Sequence, residues 1–126
     1  MNKIKTILFS FLILLTACKE DIEFKFDLDD LIDTKWGIPE IIETAPDVID
    51  YDLSAPTIFY EDGHMIIGAS RYDFWRIRNS RSIHIEQMAE IWYVIELTPY
   101  KLHVEKSKYP SGSFILRCVY PAINQE

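Results

Sequence analysis

The side chains best suited to chemistry are three histidines, His64, His84 and His103. None has the spacing to another histidine, a cysteine or an aspartate that zinc sites usually show. His84 and His103 alternate with apolar neighbours in strand-like segments, so both are predicted to point to solvent. We therefore predict no metal site and no cofactor.

Asp47, Asp50 and Asp52 are close enough together to suggest acid–base chemistry or a calcium loop. Calcium loops usually add a glycine and a later bidentate glutamate, which are missing here. The sequence also lacks a Gly-x-Ser-x-Gly motif, a glycine-rich phosphate loop and a His-Glu-x-x-His motif. A solvated acidic loop is the favoured interpretation, and we do not expect an enzyme.

Four of the five arginines lie within eleven residues: Arg71, Arg76, Arg78 and Arg81. Arg76 and Arg78 share one face of a predicted strand. The planar guanidinium group of arginine can donate two parallel hydrogen bonds to a carboxylate or a phosphate. This face, with Trp75 and Trp92, is the candidate contact for a protein, an anionic glycan or a lipid headgroup. Internal pairing with the acidic residues of 18–62 is the favoured interpretation for most of this charge.

The start of the chain has a pattern typical of export. Two lysines precede an apolar run, 7–15, which is too short to span a bilayer permanently. The segment Leu15-Thr16-Ala17-Cys18 resembles the lipobox of bacterial lipoproteins, whose cysteine receives a diacylglyceryl group before cleavage. This resemblance implies a signal peptide at 1–17 and a lipid anchor on Cys18. The alternative is an ordinary secretory signal.

Lys19, Glu20 and Asp21 follow that cysteine and resemble the surface-export signal of Bacteroidota lipoproteins, a lysine followed by two acids. The resemblance implies display on the outer face of the outer membrane, and the alternative is simply a charged tether. Residues 18–30 are predicted to form an acidic tether. Apolar and polar residues alternate in this segment, so docking as an edge strand is also open.

Charge and length limit the partners and the size of the folded body. The chain carries a net charge of −7, and removal of the two signal lysines makes it −9. Nucleic acid is excluded as a partner because its backbone would be repelled.

Residues 31–126 fit one small domain. Cys118 is predicted to be a buried thiol, since lipidated Cys18 leaves it no partner.

The body carries mostly β-strand signals. Asp62-Gly63 between apolar runs predicts a hairpin. Further strands are predicted at 36–42, 72–77, 82–86, 91–97, 102–104 and 114–120. About seven or eight short strands indicate an all-β fold, a small antiparallel barrel with a β-sandwich as the alternative.

One late hairpin has an apolar face made of Tyr93, Ile95, Leu97, Leu102 and Val104, and this face is predicted to point inward. Trp92 then lies outside, where a partner or the docked tether would cover it. Most of the other aromatic residues are expected to fill the interior.

Three segments resemble small lipocalin-like domains, which are common as lipoproteins of Bacteroidota-type bacteria. Leu31-Ile32-Asp33-Thr34-Lys35-Trp36 resembles their first strand, whose tryptophan closes the base of the barrel. Glu61-Asp62-Gly63 resembles their first tight hairpin. Trp92 to Thr98, followed by Lys101-Leu102-His103-Val104, resembles their late hairpin. This resemblance implies a lipocalin-like barrel over roughly 31–121.

These observations together predict a lipid-anchored outer-membrane lipoprotein that faces the periplasm or the cell exterior. Its expected role is non-enzymatic, as a binding or accessory protein. One alternative is a carrier of a small apolar ligand in the barrel cavity. Another is a protective or inhibitory protein that acts on another protein through the face of Arg76 and Arg78 and through Trp92.

Overall fold

A computed structural model describes residues 23–48, 51, 53–68 and 70–123. The signal peptide, Cys18, the segment Lys19-Glu20-Asp21, Asp50 and Asp52 lie outside these described residues. Within the part described, no helix is long and apolar enough to cross a membrane.

The described chain contains one short helix, α1 (Leu28–Leu31), and eight strands. The strands are β1 (Glu40–Thr44), β2 (Thr57–Phe59), β3 (His64–Ile67), β4 (Arg71–Asn79), β5 (Ser82–Ile85), β6 (Glu90–Leu97), β7 (Lys101–Lys108) and β8 (Phe114–Pro121). All eight belong to one antiparallel sheet in the order β1-β8-β7-β6-β5-β4-β3-β2. The all-β prediction is confirmed, and the single sheet excludes the sandwich.

Short hairpins connect β2 through β8 into a meander. The predicted Asp62-Gly63 turn joins β2 to β3: Gly63 has a φ of 98°, which a residue without a Cβ adopts at little cost. The Asp62 carboxylate accepts a hydrogen bond from the His64 amide at 3.0 Å and fixes this turn. Local sequence therefore sets the register of the hairpin.

Trp36 joins the two edges of the curled, half-barrel sheet. Its backbone exchanges two hydrogen bonds of 2.9 Å with Thr57 at the start of β2, and it forms a second bridge with Ala122 after β8. The side chain of Trp36 is fully buried. Trp36 therefore links the first residue of β2 to the segment that follows β8.

Apolar side chains, many of them aromatic, fill the interior. The largest fully buried ones are Trp36, Trp92, Phe59, Leu31 and Met65. Phe59 makes edge contacts with Trp75 and Trp92, at 5.5 Å and 5.8 Å between ring centroids. Edge contacts of this kind are favourable beyond the burial of area alone. The expectation that aromatic residues fill the core is confirmed.

The inward face of β6 differs from the prediction. Trp92 and Val94 are 1% and 0% exposed, whereas Tyr93 is 45% exposed and Ile95 is half-buried. The pairing of β6 with β7 shifts between Val94 and Glu96. This bulge lets Val94 and Leu97, three residues apart, both face the interior. The prediction was wrong for Tyr93, Ile95 and Trp92.

The other inward positions of this hairpin are as predicted. Leu97 is 7% exposed, and Leu102 and Val104 are fully buried. Cys118 is also fully buried and is a free cysteine, which confirms the prediction of a buried thiol.

The described part of the acidic segment, 23–30, packs against the barrel. The Lys25 amide donates a hydrogen bond to the Ser80 carbonyl at 2.7 Å, and the Arg81 guanidinium lies 5.3 Å from the centre of the Phe26 ring. Asp27 caps α1 by accepting from the Asp29 amide. The segment docks, but as a capped helical turn rather than as an edge strand.

Candidate binding site

The two ends of the barrel differ. The turns β2–β3, β4–β5 and β6–β7 lie at the end where the N-terminal segment contacts the β4–β5 turn, which we call the closed end. The turns β3–β4, β5–β6 and β7–β8 and the β1–β2 connection meet at the other end, the open end. A cavity of about 570 Å³ lies there, within the size range of small-molecule sites.

Charged residues line this cavity: Asp47, Arg71, Glu90 and Lys108. Arg71 begins β4 on the face that also carries Asp73 and Trp75, both buried. Glu90 begins β6 and lies directly opposite Lys108, the last residue of β7. Because strand residues alternate between two faces, Arg71, Glu90 and Lys108 are the outermost inward-facing residues of their strands.

The remaining wall of the cavity is largely apolar and aromatic. It includes Val48 and Tyr51 from the β1–β2 connection, Met88 from the β5–β6 turn, Tyr109 from the β7–β8 turn, and Ile115. The site therefore combines both signs of charge with surfaces that can contact an apolar group.

Two of the lining residues, Glu90 and Tyr51, belong to a buried polar network that also includes Trp92, Lys106 and Tyr120. Glu90 is 6% exposed, and its Oε1 accepts hydrogen bonds from the Tyr51 hydroxyl at 2.8 Å and from Trp92 Nε1 at 2.9 Å. Lys106, 1% exposed, donates from Nζ to the Tyr51 hydroxyl at 3.2 Å and to the Tyr120 hydroxyl.

Aromatic rings surround the ammonium group of Lys106. Its Nζ lies 3.9 Å from the centre of the Trp92 ring, 4.8 Å from that of Tyr51 and 4.9 Å from that of Tyr120. Cation–π attraction and hydrogen bonds both offset the desolvation of a buried ammonium. The network therefore holds the Glu90 carboxylate in a fixed position.

Burial and the nearby Glu90 carboxylate raise the pKa of Tyr51 well above its ordinary value, because both disfavour a phenolate. Tyr51 therefore stays protonated and donates to Glu90. Burial likewise raises the pKa of the Cys118 thiol, so this cysteine is a poor nucleophile.

Asp73 holds the turn that precedes Glu90. It is 1% exposed, and its carboxylate accepts hydrogen bonds from the amides of Gln87 at 2.6 Å and Met88 at 3.0 Å. The Tyr109 amide donates to the Ala89 carbonyl at 2.8 Å and ties the β7–β8 turn to the same place. The position of Glu90 is therefore set by contacts from β4 and from the β7–β8 turn.

The structure separates the four clustered arginines. Arg71 is at the open end, whereas Arg81 lies over Phe26 and Tyr93 and donates to the Val94 carbonyl. Arg76 and Arg78 are both exposed on the outer face of β4, as predicted.

Arg76 forms an ion pair of 2.7 Å with Glu86, which lowers the pKa of that carboxyl. Its partner is in the β5–β6 turn, so the expected match with residues 18–62 was wrong for Arg76. Trp75 is 8% exposed and Trp92 1% exposed. Both contribute to the core and cannot form the predicted outer contact face with Arg76.

The histidines lie apart from one another. His84 is 6% exposed because the Tyr109 ring covers it, at 4.6 Å between centroids, so the solvent-facing prediction was wrong. His103 is half-buried, and burial lowers its pKa. His64 is exposed beside Asp62. Among the residues that the structure describes, no group of three side chains is arranged to hold a metal.

Comparison of the chain with protein-family models, with curated proteins and with solved structures found no match.

Sequence analysis identified Arg71 and Asp47 only as members of charged groups and missed Tyr51, Glu90, Lys106 and Lys108. A signal was present, because Glu90 precedes Trp92 and Val94 in the same alternating pattern, and Lys106 continues the pattern of Leu102 and Val104. This signal was missed because the opposite face of β6 was predicted to point inward.

Proposed function

We propose that this chain is a lipid-anchored outer-membrane lipoprotein with a non-enzymatic binding role, carried out by a lipocalin-like barrel. The observation that carries the proposal is the charged cavity at the open end, opposite the end where the N-terminal segment docks. The lipobox-like Leu15-Thr16-Ala17-Cys18 supports the anchor.

This arrangement gives the anchored protein an orientation. Lys25 and Phe26 are held at the closed end, beside Ser80 and Arg81. The chain from Cys18 to Glu23 spans at most about 18 Å when fully extended. A lipid on Cys18 therefore keeps the closed end next to the membrane and turns the open end away from it. The segment Lys19-Glu20-Asp21, which resembles a surface-export signal, supports exposure of the protein on the outer face of the outer membrane.

An apolar carrier is less well supported than a binder of polar ligands. Trp36, Phe59 and Trp92 occupy the interior that such a ligand would need. The cavity instead lies at the mouth, where charged side chains line it. Desolvating those charges against an apolar ligand would be costly.

A protective or inhibitory protein that acts on another protein is the second candidate. The outer face of β4 favours it, because Tyr72 and Phe74 are 64% and 43% exposed beside Arg76 and Arg78. Exposed aromatic and arginine side chains are enriched where proteins meet. Arg78→Gln should weaken capture of such a partner without changing stability.

The anchor is tested by lipid labelling. Cys18→Ser should abolish incorporation of labelled palmitate and release the protein from membranes, because no thiol remains at the acceptor position. Cys118→Ser is the matched control and should keep the label, since that thiol is buried in the barrel. Labelling of the Cys18→Ser variant would refute the anchor.

A further inference from the structure

We propose that the open-end cavity binds a zwitterionic ligand of the amino-acid or short-peptide class, with its ammonium group at Glu90 and its carboxylate at Arg71 and Lys108. The inference rests on the proposed binding role and names its ligand chemistry.

Glu90 provides the site for the ammonium group. Both hydrogen bonds to its carboxylate, from Tyr51 and Trp92, go to Oε1. Neither of these two bonds involves Oε2, and Glu90 lines the cavity. An ionised carboxylate has about four acceptor positions, so it retains capacity for a ligand. A charge-assisted hydrogen bond at a site shielded from water is among the stronger ones.

Arg71 and Lys108 provide the site for the carboxylate. Both side chains are exposed at the rim, and neither forms a salt bridge with a described residue. The guanidinium fork of arginine suits a carboxylate in a bidentate arrangement. Among the described residues, no acidic side chain pairs with either cation, and the proposal assigns both to the ligand.

The spacing of these charges fits one small molecule. Glu90 and Lys108 are directly paired across β6 and β7, so their Cα atoms lie about 5 Å apart. Glu90 is buried, whereas Lys108 is exposed. A ligand whose ammonium and carboxylate groups are separated by a few bonds, as in an amino acid or a dipeptide, spans that separation.

Other ligand chemistries fit the cavity less well. A purely anionic ligand would meet the carboxylates of Glu90 and Asp47, and a purely cationic one would meet Arg71 and Lys108. Like charges disfavour both cases. The apolar parts of Met88 and Ile115 remain for the side chain of a zwitterion.

The probe is the dipeptide alanyl-phenylalanine, titrated by calorimetry into the lipidated protein purified in detergent. Its N-acetylated and C-terminally amidated forms each lack one charge. We expect the dipeptide to bind, and each blocked form to bind roughly tenfold or more weakly, because a charge-assisted hydrogen bond is lost. Equal binding of all three forms would overturn the charge assignment.

Variants locate the binding. The double change Arg71→Gln and Lys108→Gln should weaken binding of the parent dipeptide and leave binding of the amidated form unchanged. Arg78→Gln is the matched control, because it removes an exposed arginine from the outer face of β4. Glu90→Gln keeps an acceptor for Tyr51 and Trp92. It should weaken binding of the parent dipeptide and leave binding of the N-acetylated form unchanged, because that form has no ammonium group. Unchanged affinity in the rim double variant, which alters only exposed side chains, would contradict the proposal.

The outcome separates this inference from the broader function. A protein that carries the Cys18 lipid label but binds no dipeptide at about 10 mM would refute the ligand class. The lipoprotein proposal would then stand on its own labelling result. Loss of the label with retained dipeptide binding would refute the anchor alone.

Discussion

At the residue scale, the barrel places ionisable groups where water is excluded. Glu90, Lys106 and Tyr51 satisfy one another through hydrogen bonds, and Trp92 contributes both a donor and a ring face. A buried network of this kind is stable only when its members are all paired. It therefore couples the integrity of the core to the position of Glu90 beside the cavity.

The raised pKa values of Cys118 and Tyr51 predict a loss of stability at alkaline pH. In the unfolded chain these groups ionise near their ordinary values of 9.0 and 10.0. In the folded chain both stay protonated to higher pH, so the unfolded state binds fewer protons there. The free energy of unfolding therefore falls as pH rises above about 9 and is unaffected by these groups below it.

Urea denaturation between about pH 8 and pH 11 measures this dependence. Tyr51→Phe and Cys118→Ala each remove one of the two groups, so each should make the decline shallower than in the unaltered protein. Declines of equal steepness in all three proteins would show that neither group is responsible.

At the scale of elements, local sequence signals were sufficient to predict the strands and turns. They were not sufficient to predict which face of each strand points inward. The Asp62-Gly63 turn and the alternating runs of β4 to β8 predicted the meander correctly. The bulge in β6 reversed the predicted face of Tyr93 and Ile95, since apolar residues occur on both faces of that strand. Alternation alone could not choose between them.

The candidate site was harder to predict for a related reason. Tyr51 and Lys106 are 55 residues apart in sequence and meet only because the sheet curls. A polar residue within an apolar strand is predicted to lie on the surface unless its interaction partners are known. Tertiary pairing, not local pattern, makes Glu90 and Lys106 interior residues.

The corrected face makes a specific prediction about stability. Leu102→Ala should cost about 2–5 kcal/mol, because it removes a fully buried side chain. Ile95→Ala should cost clearly less, about 1 kcal/mol, since the side chain is only half-buried and leaves a smaller void. Chemical denaturation of the two variants compares them directly. A larger cost at Ile95 would restore the original assignment of the inward face.

At the scale of the whole molecule, the proposed anchor and the proposed binding site lie at opposite ends of one sheet. The acidic segment contributes little free length, because its residues from Lys25 onward are fixed to the barrel. An eight-residue strand such as β7 then extends about 26 Å from the closed end to the open end. The proposed anchor thus determines which end meets a soluble ligand.

This orientation can be measured with one fluorophore at each end. Glu61→Cys places a label in the β2–β3 turn at the closed end, and Ser111→Cys places one in the β7–β8 turn at the open end; both positions are exposed. Cys118 does not compete for the label, because it is buried and its raised pKa keeps it protonated.

The lipidated variants are inserted into vesicles that contain lipids with spin-labelled headgroups, which quench nearby fluorophores. The label at position 61 should be quenched more strongly than the label at position 111, since the short connection to Cys18 holds the closed end against the bilayer. The non-lipidated forms control for collisions with the membrane and should show no difference. Stronger quenching at position 111 would place the cavity against the membrane and make a lipid-derived ligand the better hypothesis.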